Sequence, residues 1–154
     1  MVQSVLFSKY ENLNRDQLRP LLLIGDEDEM QLNKYIDKGD VFIASDAGKC
    51  VGVALLIENQ AACIELKNMD ILPEYQGHGV GSAFIDYLFA CYSDDYKQML
   101  VGTGDADFQN MAFYMKAGFR FSGIRKAYFE SYEKPINVKG IDLQDMVLLT
   151  RELV

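Results

Sequence analysis

Apolar residues recur along the chain with two different periods. Between residues 10 and 39 they fall at helical intervals, whereas from residue 40 to 71 they gather into runs rich in Val, Ile, Leu and Ala. Residues 2–7 alternate polar and apolar positions and predict a first strand. Asn14 predicts the cap of a helix running through Leu18 and Leu22 to Gly25. The acidic run Asp26, Glu27, Asp28, Glu29 predicts the start of a second helix, because negative charge complements the helix dipole there. That helix carries Met30, Tyr35 and Ile36 and stops at Gly39.

Residues 41–45, 51–58 and 62–71 predict three strands, joined through Asp46, Ala47, Gly48 and through Glu58, Asn59, Gln60 as an antiparallel meander. A glycine-rich turn follows Pro73. Val80, Ala83, Phe84, Tyr87, Leu88 and Cys91 then predict a helix over residues 79–92. Residues 99–102 read as a short buried strand and 109–117 as a helix ended by Gly118. Residues 119–125 and 146–153 predict a last strand pair around a long aromatic and charged connection. The strand, helix, strand piece between residues 66 and 102 predicts a right-handed crossover between parallel neighbours, so the sheet is mixed.

The length of 154 residues fits a single domain over residues 1–154, and the 49% apolar content is enough for a real core. Fifteen Lys and Arg against 23 Asp and Glu leave a net charge of −8, which argues against nonspecific nucleic-acid binding. The longest apolar runs fall far short of the ~20 residues a membrane span needs. The opening residues lack a charged start followed by an apolar run, and Cys50, Cys63 and Cys91 show neither disulfide nor metal-ligand spacing. The expectation is a cytoplasmic protein without a metal, its cysteines acting as small buried apolar residues.

The chemistry concentrates in Gln76, Gly77, His78, Gly79, Val80, Gly81, Ser82, between a predicted strand and a predicted helix. Glycines there leave the backbone amides open to a ligand, and a helix N-terminus offers unpaired N–H groups to an anion without any cationic side chain. A Walker A loop needs Lys and then Ser or Thr after the last glycine, but Ser82 and Ala83 follow Gly81. The glycine spacing also departs from the dinucleotide fingerprint, and the preceding strands read as antiparallel.

The segment matches Gln/Arg-x-x-Gly-x-Gly/Ala, and residues 64–75 look like the fourth strand and lead-in that precede it. Asn110, Ala112, Phe113, Tyr114, Lys116, Gly118 and Phe119 match a second, downstream pattern. With both motifs the chain resembles the GCN5-related N-acetyltransferase (GNAT) superfamily, most closely over residues 41–125. The resemblance implies an α/β (α+β) fold: a mixed, mostly antiparallel sheet of about six to seven strands, about four flanking helices and a splayed parallel strand pair. It implies acetyl-CoA as cofactor, with the diphosphate held by the amides of Gln76, Gly77, His78, Gly79, Val80, Gly81 and Ser82. Pantetheine would pair with the strand edge at Met69 and Ile71, and Asn110 would help fix the cofactor. Adding an extended amide chain to a sheet edge is physically sound, and an edge N–H near Met69 can polarise the thioester carbonyl.

The resemblance also makes Tyr114 the general acid for the leaving thiolate, set against a plain packing role for its ring. Glu65 is the preferred base, directly or through water, and Asp70 the second candidate; with no bulge between them their odd separation puts them on opposite faces. His78 lends only its backbone N–H. Asp26, Glu27, Asp28 and Glu29, with Tyr128, Phe129, Glu130, Tyr132 and Glu133, fall where the superfamily builds its acceptor pocket. Acidic and aromatic walls favour a cationic amine of a small molecule or peptide; helix capping and a core or homodimer contact are the competing roles. The expected activity is direct acetyl transfer to a primary amine, with a noncatalytic acyl-CoA-binding sensor as the rival.

Overall fold

The computed structural model describes residues 4–153. Nine strands form: β1 Val5–Lys9, β2 Asp40–Asp46, β3 Lys49–Gln60, β4 Cys63–Ile71, β5 Gln98–Gly104, β6 Arg120–Arg125, β7 Asn137–Val138, β8 Ile141–Asp142 and β9 Met146–Glu152. The helices are α1 Arg19–Asp26, α2 Glu29–Asn33, α3 Val80–Tyr92 and α4 Phe108–Lys116. Seven strands make one sheet in the order β1-β2-β3-β4-β5-β9-β6, while β7 and β8 pair as a separate ribbon. Among the described residues only β4 and β5 run parallel, joined by the α3 crossover; every other neighbouring pair of the sheet is antiparallel. The mixed sheet expected from the hydrophobic runs is therefore present, with β9 inserted between β5 and β6.

Two apolar layers cover the sheet. Val80, Phe84, Ile85 and Leu88 of α3 pack with Ile64, Leu66, Val101 and Tyr114 on one side. Leu21 and Leu22 of α1 and Leu32 of α2 pack with Val41, Val53 and Leu55 on the other. At 25 cal/mol per Å², each fully buried Leu or Phe is worth roughly 2 kcal/mol, so both layers contribute to holding the helices against the sheet.

Local chemistry moves several boundaries. The first strand is Val5–Lys9; residues 2 and 3 of the expected strand lie outside the described residues. The first helix begins at Arg19 rather than after Asn14, because Pro20 fits only a helix's first turn; Asn14 Oδ1 instead accepts from Asp16 N in the preceding turn. The acidic run does not open one helix but joins two. Asp26 ends α1, Glu27 reverses the chain at φ 62°, and Asp28 caps α2 by accepting from Gln31 N at 3.0 Å. That second helix ends at Asn33, well before Gly39, and turns complete the segment. The β3–β4 reversal falls at residues 61–62, after a longer β3 than the sequence predicts. Cys63 is buried, but Cys91 is exposed, because the buried stripe of α3 steps from Leu88 to Tyr92 and leaves Cys91 outside it.

Candidate active site

Parallel pairing between β4 and β5 runs only from Cys63↔Gln98 to Leu66↔Val101. Beyond that point the strands separate, and residues 67–71 have β3 on one side and no strand on the other. Leu72 N donates to Val51 O, so antiparallel alternation turns the N–H groups of Met69 and Ile71 away from β3, toward the open side. Gln76 Nε2 donates to Ile71 O at 2.8 Å, which requires that same direction. A cleft of about 150 Å³, open to solvent, occupies the gap; Lys67, Asn68, Met69, Thr103, Asn110 and Tyr114 are among its lining residues.

The glycine-rich turn sits at the end of β4. Gly77 and Gly79 adopt φ 78° and 83°, a region side chains with a Cβ rarely tolerate, and Gly79 caps α3 without a side-chain hydrogen bond. The first helical bond runs from Ala83 N to Gly79 O. Gly77, His78, Gly79, Val80, Gly81 and Ser82 therefore present six successive N–H groups with no partner among the described residues. The Gln76 amide differs, since it donates to Pro73 O and its side chain ties the turn to β4. His78 is exposed and adds no side-chain contact. The free amides and the helix dipole suit a diphosphate, and a strand edge with free N–H groups suits an extended amide chain.

Tyr114 faces the cleft from α4. Its ring is 5% exposed and packs edge-on against Phe113 and Phe119, yet its hydroxyl has no hydrogen-bond partner among the described residues. A buried tyrosine normally finds such a partner within the protein, so this hydroxyl is free for a ligand. Burial, with Asp70 and Asp107 nearby, raises its pKa and keeps it protonated. Asn110 lines the same wall, its Nδ2 3.0 Å from Thr103 Oγ1, while its backbone N–H donates to the Asp107 cap of α4.

A bulge decides which face the carboxylates occupy. Leu55 pairs with Asn68 and Leu56 with Leu66, leaving Lys67 as an extra residue in β4. Ile64 and Leu66 before it and Met69 and Ile71 after it all pack on the α3 side. Glu65 and Asp70 consequently share the opposite, α1 side despite their odd separation. Both Glu65 oxygens accept from Arg125 at 3.1 Å, and Oε1 also accepts from Asn59. Asp70 is buried behind Gly25, whose added Cβ would lie 2.6 Å from its Oδ2. That Oδ2 has no partner among the described residues, and burial pushes the Asp70 pKa up to about 7, offset in part by the Gly25 N–H.

Across the cleft, the 126–145 connection docks on α1 and α2. Glu133 N donates to Asp28 Oδ2, and Gln31 Nε2 donates to Ser131 O. Asp26 accepts from both Tyr35 and Tyr132. Of the expected acceptor residues, Asp26, Glu27, Tyr128, Phe129 and Tyr132 line the cleft, whereas Asp28, Glu29, Glu130 and Glu133 do not. Sequence reasoning did not single out Tyr35 or Lys67. Lys67 Nζ donates to Tyr128 Oη at 3.0 Å and lies 5.2 and 5.4 Å from the ring centres of Tyr35 and Tyr128. Only the helical spacing of Tyr35 and the Lys in the β4 run hinted at them.

A cradle of free amides at the end of β4, with an open strand edge and an unpaired tyrosine at the neighbouring cleft, suits a group-transfer enzyme whose donor is long, amide-bearing and anionic. A protein-family model for the acetyltransferase (GNAT) domain matches residues 37–121, more than half of the chain, and the chain belongs to that family. It is an acetyltransferase. The uncharacterized N-acetyltransferase YvbK of Bacillus subtilis (strain 168) is 26% identical over 140 residues, 90% of each chain. A GNAT family acetyltransferase from Elizabethkingia anophelis, solved with acetyl-CoA bound, is similar with a TM-score of 0.90 and 26% identity, over 97% of this chain and 98% of that one. A Bacillus subtilis acetyltransferase in complex with CoA is similar with a TM-score of 0.86 and 26% identity, over 97% and 99%.

Proposed function

We propose that this protein transfers an acetyl group from acetyl-CoA directly to a primary amine of a small molecule or peptide. The six free N–H groups from Gly77 to Ser82 carry this reading, because they offer a diphosphate a complete backbone seat in a chain of net charge −8. Bound there, acetyl-CoA supplies an activated acetyl group that passes from sulfur to nitrogen, releasing the thiol. Met69 N–H donates to the carbonyl oxygen as negative charge develops, and Ile71 N–H pairs with the pantetheine arm. Asn110 helps hold that arm from the α4 side. Tyr114 gives its phenolic proton to the departing sulfur.

The proton released by the amine needs an acceptor, and the two carboxylates differ. Glu65 has both oxygens engaged by Arg125, so its role is to anchor that arginine and the wall of the cleft. Asp70 has an unpartnered oxygen and a pKa of about 7, a value suited to a base near neutral pH. Asp70 does not line the cleft and lies behind Gly25, so the amine's proton would pass to it through water rather than directly. The free hydroxyl of Tyr114 favours turnover over a sensor that merely holds the cofactor. Thiol release from acetyl-CoA across an amine panel tests this: amine-dependent release is expected, and binding without release would favour the sensor.

A further inference from the structure

Lys67 lines the cleft, and the donor chemistry does not use it. The bulge sets it on the acceptor wall, where it is half-buried, and it has no carboxylate partner among the described residues. An ammonium carries three donors, and Lys67 gives one to a neutral phenol, Tyr128. No carboxylate of the cleft pairs with it among the described residues: Asp26 accepts from Tyr35 and Tyr132, Glu65 pairs with Arg125, and Glu27 and Asp107, which line the same cleft, make no ion pair with it. A partly desolvated cation with no ion pair of its own can take an anion brought by the ligand. Its position also bears on cationic acceptors. The ring faces of Tyr35 and Tyr128 that could hold an acceptor's ammonium lie under the ammonium of Lys67 itself.

Met69, assigned above to the reacting carbonyl, is two residues along β4 from Lys67, which keeps their backbones within roughly 7 Å. An anionic group on Lys67 therefore belongs to the same small molecule as the attacking amine. Phe129, Ile136, Leu143 and Met146 add apolar lining to the cleft. We infer, on the basis of the acetyltransferase reading above, that the acceptor is a free amino acid with an apolar or aromatic side chain, its carboxylate seated on Lys67.

The test uses the purified protein with acetyl-CoA and a panel of leucine, phenylalanine, their amides and spermidine. Leucine or phenylalanine should show a kcat/KM at least about tenfold above that of its amide and of spermidine, as expected for one lost charge-assisted contact. Lys67→Met should remove that preference by raising KM for the acid, with little change for the amide, and Lys67→Arg should restore it. Thermal unfolding checks that both variants fold. Titration of the amino acids into CoA-loaded protein gives a second readout independent of turnover. Acetylation of amides or spermidine as well as the acids, a preference that survives Lys67→Met, or no binding of any acid overturns the inference. If CoA itself does not bind, the donor reading fails instead.

Discussion

The two halves of the cleft are built from different materials. On the proposed reading the donor half is main chain: six successive amides at the entrance of α3 and the bare edge of β4. The acceptor half is side chain: Tyr35, Lys67, Tyr128 and Tyr132 arrive from α2's trailing turn, the β4 bulge and the long connection before β9. A backbone site recognises features common to a whole cofactor class and tolerates wide change in side chains. A side-chain site is specific and can be rebuilt without touching the donor half. The contrast predicts that substitutions sort by half: donor-side changes act on CoA affinity, acceptor-side changes on the amine.

Tyr114 stands where the halves meet and should give the largest effect. Tyr114→Phe keeps the ring packing and removes only the proton donor, so kcat should fall about 100-fold or more while CoA affinity stays unchanged. Steady-state kinetics beside calorimetry separate the two, and an unchanged kcat would remove the acid assignment. Next comes Gly79→Val, which forces a β-branched residue to φ 83° and crowds the amides. CoA affinity should drop about tenfold or more by calorimetry, in a variant that circular dichroism shows to be folded.

Asp70→Asn sharpens the comparison through pH. Wild-type kcat/KM should decline toward acid with a limb near pH 7, and the variant should lose that limb along with most of its rate. The same shift has a stability consequence. Because burial raises the folded pKa above the ordinary value of 3.8, the fold favours the neutral acid; that contribution is full below about pH 4 and lost as pH rises through 7. Asp70→Asn should therefore raise the melting temperature at pH 8 and gain nothing at pH 4, by an amount equivalent to a few kcal/mol at most. The smallest effect belongs to His78→Ala. The side chain is exposed and unbonded, so CoA affinity should change less than about twofold; a large loss would mean the donor half depends on a side chain after all.

The same division explains what could be read from the amino-acid string. The glycine turn and the segment from Asn110 to Phe119 are each contiguous in the chain, and backbone geometry follows from glycine spacing and capping, so the open amides of the turn and the mixed sheet were legible. The bulge at Lys67 was not. Strand alternation alone sends Glu65 and Asp70 to opposite faces, and one unpaired residue reverses that. The ion pair of Glu65 with Arg125 joins residues 60 positions apart, which no local pattern encodes. The acidic run misled for a related reason: its charges suit one helix start, but Pro20 fixes the first helix so that Asp26 closes it and only Asp28 and Glu29 open the next.

The central claim is that main-chain N–H groups at the entrance of α3 hold the donor's diphosphate. Amide NMR of ¹⁵N-labelled protein during CoA titration tests it most directly. The resonances of Gly77, Gly79, Gly81 and Ser82 should move downfield on CoA, and far less on adenosine, which lacks the diphosphate. Tight CoA binding that leaves those four resonances in place would contradict the account.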